Sequence, residues 1–198
     1  MKLPYAYFTL TLQHIKVRTK QENDMNSKKV LVAYFSRADE NYNVGYIEKG
    51  NTQIVAEVIA EKTGGTLFHI APSEPYPSDY MECIALAKKE MNANARPAII
   101  GDIEVADYAT VFLGYPNWWG EAPMPVYTFI EQHDWHGKIV VPFCTHEGSG
   151  LGSTESRLRR ACYGATFLPG LAIQGTVTQT DEEEVEKSVK HWLNKIRK

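Results

Sequence analysis

Five times after Lys28, a short apolar run is followed by a stretch with helical spacing, and this alternation restricts the fold more than any other feature of the chain. Lys28–Ser36 (KKVLVAYFS) is a continuous apolar run, suited to a strand buried on both faces. Asn51–Gly65 then places Ile54, Val55, Val58 and Ile59 on one helical stripe and stops at two glycines. Thr66–Pro72 reads as a second strand, and Ser78–Asn92 as a helix capped by Ser78 or Asp79. The third pair is Tyr108–Pro116 and Met124–Gln132, whose prolines fall near the first helical turn, where a missing N–H costs little. Gly137–His146 with Ser153–Cys162 makes the fourth pair. The fifth is Ala165–Ile173 with Asp181–Ile196, a helix with acids in its first turn and bases near its end. Repeated strand-then-helix units make right-handed crossovers, which build a parallel sheet covered by helices on both faces. In such sheets ligands bind beyond the carboxyl ends of the strands, where the strand order reverses.

At 198 residues the chain has room for one good-sized domain. The boundaries expected are residues 28–198 for that domain and 1–27 for an N-terminal extension, apolar at first (LPYAYFTLTLQHIKV) and then polar (RTKQENDMNSKK). The extension lacks the cationic start, long apolar core and small-residue cleavage site of a signal peptide. A net charge of −3 without a basic stripe argues against nucleic acid. No apolar run reaches the 18 or so residues of a membrane helix, so no membrane partner is expected. Cys83, Cys144 and Cys162 are odd in number and show no metal-ligand spacing, so free thiols in a reducing, cytoplasmic setting are expected and no metal site. Cys144, near the end of an apolar run, is a candidate thiol beside the site.

Three loops follow the strands that flank the expected switch point. The first runs from Ser36 into Gly50-Asn51-Thr52-Gln53 at a helix start, where free N–H groups and the helix dipole favour a phosphate. Neither GxGxxG nor GxxxxGK[ST] is present, against a Rossmann dinucleotide site or a P-loop. The second, Tyr115–Ala122, holds Trp118 and Trp119 between Pro116 and Gly120. These indoles either close over the domain's own core or lie against a planar ligand. The third, Thr145–Ser153, includes Gly148, Ser149, Gly150 and Gly152, which either make a flexible connector or let the backbone approach something closely. His146 and Glu147 in that loop raise acid–base chemistry.

"VLVAYFSR…GNTQIVAEVIAE", "GYPNWWGEAPMPVYTFIE" and "PFCTHEGSGLG" together resemble the flavodoxin-like FMN-binding family, in its subgroup of small bacterial proteins, over about Lys28–Ile196. The resemblance implies a three-layer α/β/α sandwich on a five-stranded parallel sheet of order 2-1-3-4-5, with FMN as cofactor. It implies that Ser36, Asn51 and Thr52, with Arg37 and Gln53 adjacent, hold the FMN phosphate. Pro116, Asn117, Trp118, Trp119 and Gly120 then flank the ring, and Thr145, His146, Glu147, Gly148, Ser149 and Gly150 meet its pyrimidine edge. Backbone N–H groups near Gly120 and Gly148 are expected to favour the reduced ring. Two departures stand out. Ala38–Lys49 is inserted in the phosphate loop with Tyr42 and Tyr46, to cover the phosphate or meet a partner. Thr145–Gly152 carries no aromatic, leaving one ring face open. The functions implied are electron transfer with a redox partner protein, or an NAD(P)H-dependent reductase of quinones or similar small acceptors, with His146 as proton donor and Tyr115 a weaker choice. The other alternative is a flavin-free scaffold. Reductases of this shape are often dimers, so a homodimer is also among the expectations.

Overall fold

The computed structural model describes residues 29–196; the N-terminal extension lies outside them. In chain order the elements are β1 (Val30–Tyr34), β2 (Asp39–Asn41), β3 (Gly45–Ile47), α1 (Asn51–Thr63), β4 (Thr66–His69), β5 (Ala71–Pro72), α2 (Tyr80–Ala93) and β6 (Ile99–Ile100). After a 3-10 turn at Val105–Asp107 come β7 (Thr110–Pro116), α3 (Met124–Glu131), β8 (Ile139–His146), α4 (Thr154–Ala161), β9 (Thr166–Phe167), β10 (Leu171–Gln174), α5 (Gly175–Thr180) and α6 (Glu182–Ile196). The main sheet runs β4-β1-β7-β8-β10, with β9 also on β8, and every pair in it is parallel. Counted by position, this is the order 2-1-3-4-5, and the fold is a flavodoxin-like α/β/α sandwich.

The continuous apolar runs exist because both faces of each central strand are covered. Leu31, Ala33 and Phe35 enter the core shared with Phe129, Ile130 and Leu158. Val32 and Tyr34 enter the opposite one, with Val55, Ile59, Val189 and Trp192. Thus α1 and α6 cover one face while α2, α3 and α4 cover the other. The buried stripe of α1 is Thr52, Val55, Ala56, Ile59 and Ala60. It is rotated from the expected one, leaving Ile54 and Val58 only partly covered, because small alanines allow close approach to the sheet.

Of the two caps proposed for α2, Asp79 is the one used, its side chain accepting from Glu82 N at 2.8 Å. The expected fifth strand is broken: Pro169 has no N–H to continue the ladder, so β9 and β10 pair with opposite ends of β8. The expected second strand, Thr66–Pro72, is split into β4 in the main sheet and β5, which pairs with β6 instead; the hairpin β2–β3, strand β6 and helix α5 were not foreseen, being short.

Gly114 in β7 lies directly across from Phe143 in β8, and a Cβ there would strike the Phe143 ring. Gly114→Ala is expected to cost about 1–3 kcal/mol through overpacking, read as a lowered melting temperature. Adding Phe143→Leu should recover much of the loss.

Candidate functional site

The loops after β1, β7 and β8 meet beyond the carboxyl ends of the strands, around a cleft of about 260 Å³. Its first wall is the start of α1. A Cβ at Gly50 would collide with Ser36 Oγ and the Arg37 carbonyl, so glycine is what lets the chain cross there. Ser36 Oγ accepts from Gln53 N at 3.0 Å, which leaves its own proton to donate. Thr52 Oγ1 and Thr145 Oγ1 share a buried hydrogen bond of 2.7 Å. Asn51 Oδ1 accepts from Gln179 Nε2 at 2.7 Å, and the same amide donates to Lys49 O at 2.9 Å. Among the described residues, no acceptor meets the backbone N–H of Asn51 or Thr52.

The second wall is a tight turn. Trp118 N donates to Glu121 O and Glu121 N to Trp118 O, with Trp119 (φ 60°) and Gly120 (φ 78°) at its centre. Positive φ at both central residues marks a type I′ turn, which suits glycine and is strained for tryptophan. Trp118 divides its roles. It packs edge-on to Phe35 and Tyr76, at centroid distances of 5.3 and 5.1 Å, and also lines the cleft. Trp119 is 52% exposed and lies on α2, its Nε1 donating to Ile84 O at 3.1 Å and Lys88 Nζ lying 4.7 Å from its ring centroid. Asn117 is a bracket between loops: its Nδ2 donates to Gly150 O and its Oδ1 accepts from Gly120 N, both at 2.9 Å.

A buried carboxylate supports this turn. Glu121 accepts from Tyr127 OH at 2.6 Å and from Ala122 N at 3.0 Å, and forms an ion pair with Arg157. Its neighbourhood raises the Tyr127 phenol, by burial first and then by the hydrogen bond to Glu121 and its charge.

The third wall follows β8. His146 Nδ1 accepts from Gly148 N at 2.9 Å, so the neutral ring carries its proton on Nε2. Burial lowers the His146 pKa, against a smaller opposing pull from Glu147. Glu147 receives both Thr176 N and Thr176 Oγ1 at 2.7 Å, which pins the loop to α5. Gly148, Gly150 and Gly152 all have positive φ, and a Cβ on Gly148 or Gly150 would meet open space. These glycines serve backbone conformation rather than close approach.

The structure brings some of the expected site residues together and places others elsewhere. Asn51, Pro116, Asn117, Trp118, Trp119, Thr145, His146, Glu147 and Ser149 line one cleft, with Ser36, Thr52 and Gln53 at the adjoining helix start. Arg37 points elsewhere: its guanidinium donates to the carbonyls of Glu40, Pro77 and Ser78 at 2.6–2.7 Å. The N–H groups of Gly120 and Gly148, expected to serve a ligand, are both taken by side chains. Tyr115 is fully buried, donating or accepting with Thr154 Oγ1 at 2.9 Å, and burial raises its phenol, so it does not reach the cleft as a proton donor. Cys144 is buried, with its thiol pushed up to about 12 by desolvation, and is inert. All three cysteines are free and buried.

Four further residues line the cleft: Asn41 and Tyr42, in the insertion expected to cover the phosphate or meet a partner, and Tyr80 and Ile84, which were not foreseen. They belong to the β2–β3 hairpin and α2. Glu40 Oε2 accepts from Tyr80 N at 3.0 Å, and Tyr42 stacks on Tyr80 with centroids 5.9 Å apart. The insertion thus brings aromatic surface to a cleft whose third loop has none.

A flavodoxin family model matches residues 29–196. The chain belongs to the flavodoxin family. No match is found among curated proteins. Among solved structures, it is similar to a protein assigned as a flavoprotein from Bacteroides eggerthii, with 36% identity over 86% of this chain and 98% of that one and a TM-score of 0.68. A second such protein, from Bacteroides uniformis, is 30% identical over 82% of this chain and 97% of that one, with a TM-score of 0.65. A flavoprotein from Lactobacillus acidophilus, solved in complex with FMN, shares the fold at 21% identity over 80% and 97%, with a TM-score of 0.59. Among the described residues of this flavodoxin-family chain, no helix is long and apolar enough to cross a membrane.

Glu121→Ala would strand the Tyr127 hydroxyl and the Ala122 N–H, and is expected to cost about 2–4 kcal/mol in denaturant unfolding. The lowered His146 pKa has a definite sign. The stability held by the neutral ring is present above the unfolded value of 6.5 and is lost as the pH falls through the folded value. An NMR titration of the ring should find a midpoint below 6.5; one above it contradicts the burial argument.

Proposed function

We propose that this chain binds FMN in the cleft and transfers electrons through it. The observation that carries this reading is the convergence of the α1 start, the Trp118–Trp119 turn and the His146–Ser149 loop on one cleft at the switch in strand order. The residues present suit the cofactor's parts. Free N–H groups of Asn51 and Thr52, with the Ser36 hydroxyl proton, match a phosphate at a helix start. Trp118 and Trp119 offer π-surface to a planar ring, and Ser149 and the His146 Nε2–H offer polar contacts to its edge. When bound, FMN supplies one- or two-electron chemistry; the protein contributes binding, orientation and the local charge.

What the chain's own residues do follows from their bonds. Gly50 and the Thr52–Thr145 pair hold the helix start against β8. Asn117 and Glu147 fix the other two loops, through Gly150 and Thr176 respectively, so the cleft walls are set before a ligand arrives. His146, neutral with its proton on Nε2, is a donor to a group in the cleft rather than a charge.

A second reading, an NAD(P)H-dependent reductase of quinones or similar small acceptors, is favoured by the aromatic residues Tyr42 and Tyr80 along the cleft. A net charge of −3 also gives weak steering toward a basic partner protein. Steady NAD(P)H oxidation with a quinone and no added protein supports the reductase. Bound FMN without such turnover supports the carrier.

The decisive experiment is the visible absorption spectrum of the purified protein, followed by titration of FMN fluorescence. Flavin bands or strong quenching are expected; a colourless protein indifferent to FMN would leave only a scaffold role. Ser36→Ala, which removes the free hydroxyl proton at the helix start, should weaken FMN binding about tenfold, the loss of one hydrogen bond to a charged group. Unchanged affinity would remove the phosphate from this position.

A further inference from the structure

We infer that the inserted hairpin is an acceptor-binding element, and that Tyr42, backed by Tyr80, forms the wall against which a planar, electron-poor ring of the quinone class stacks. The inference rests on the flavin reading above in its reductase form, and assigns the residues that would hold the acceptor.

Tyr42 and Trp118 line the same cleft from different depths. Trp118 is anchored in the core by Phe35 and Tyr76, whereas Tyr42 is 56% exposed at the tip of β2–β3. An aromatic ring left half in water at the mouth of a cleft offers contact area to a ligand arriving from solvent. The hairpin has no core of its own to explain that ring, since Ile47 is its one buried hydrophobic side chain. Instead, polar bonds hold it in place. Arg37 donates to Glu40 O on one side and to Pro77 O and Ser78 O on the other, and Glu40 takes Tyr80 N. Asn41 Nδ2 closes the turn by donating to Ala38 O at 3.0 Å and Asp39 O at 3.2 Å. Together these set the Tyr42 ring on Tyr80.

The Tyr42–Tyr80 spacing of 5.9 Å is less than two stacking distances, about 7 Å, so no third ring enters between them. A ligand therefore packs on the side of the pair that lines the cleft. Electron-rich phenol rings favour an electron-poor partner face to face.

The test is calorimetric titration of menadione into the FMN-loaded protein, with FMN affinity measured separately for each variant. Tyr42→Ala is expected to raise the menadione dissociation constant fivefold or more while leaving FMN affinity within twofold. Tyr42→Phe should restore binding to within twofold of the original. Where Tyr42→Ala disturbs the hairpin, seen as a changed melt, Tyr42→Leu keeps the bulk without the π-face and makes the same comparison. Menadione binding that is unchanged in Tyr42→Ala overturns the inference. So does an equal loss of FMN affinity, which would make Tyr42 a wall for the cofactor. FMN binding with no menadione binding overturns this inference alone, and absence of FMN binding overturns the flavin reading beneath it.

Discussion

The hydrogen bond between the hydroxyls of Thr52 and Thr145 is short, fully buried, and joins parts of the chain that are 93 residues apart. Thr52 opens α1 and Thr145 stands near the end of β8, so the bond ties one end of the cleft to the other. The Thr145 carbonyl meanwhile accepts from Asn117 N at 2.8 Å, which draws in the loop after β7. Three loops separated in sequence are thus referred to one residue. Were the Thr145 hydroxyl unpartnered at this depth, it would carry a desolvation cost without return. A polar contact set in an apolar core thus refers the loops after β7 and β8 to the start of α1.

Around that node, the support is mostly uncharged. Asn117, Gln179, Thr176 and Ser36 position the walls with amide and hydroxyl groups, while Glu121 and Arg157 form the ion pair behind the Trp turn. Fixed dipoles of this kind hold geometry, and the carboxylate that lines the cleft, Glu147, is itself held by the Thr176 N–H and hydroxyl. That suits a group whose own charge changes during turnover, because the surroundings need little rearrangement. The strained Trp119 backbone belongs to the same economy: a residue that prefers another conformation is held there by Asn117 on one side and Ile84 on the other.

Much of the sheet was legible because strands covered on both faces read as unbroken apolar runs, and Leu31–Phe35 and Val111–Tyr115 are such runs. The helix starts and the three cleft loops were legible for a related reason: glycine, proline and cap residues mark them. What escaped was held by side chain to backbone bonds that leave no periodic trace. Arg37 looked like a phosphate ligand because it stands beside Ser36, yet its partners are carbonyls 40 and 41 residues away. The hairpin was hidden by its polarity, and Glu121 by being a single acid in a loop, with nothing in the sequence to mark it as buried. Gln179 and Thr176 lie on α5, a helix too short to show a stripe.

The interruption at Pro169 has a consequence for the whole molecule's behaviour in solution. A sheet ends on a strand whose outward N–H and C=O groups can template another chain, and a long straight edge is the hazard. Here the outer border beside β8 is divided into Thr166–Phe167 and Leu171–Gln174, with the ring of a proline between them. The Pro169 carbonyl is already taken by Trp192 Nε1 at 2.8 Å. Neither fragment is long enough to recruit a foreign strand in register. A break that looks like a defect in the ladder guards against edge-to-edge aggregation on the border where β10 hands the chain to α5.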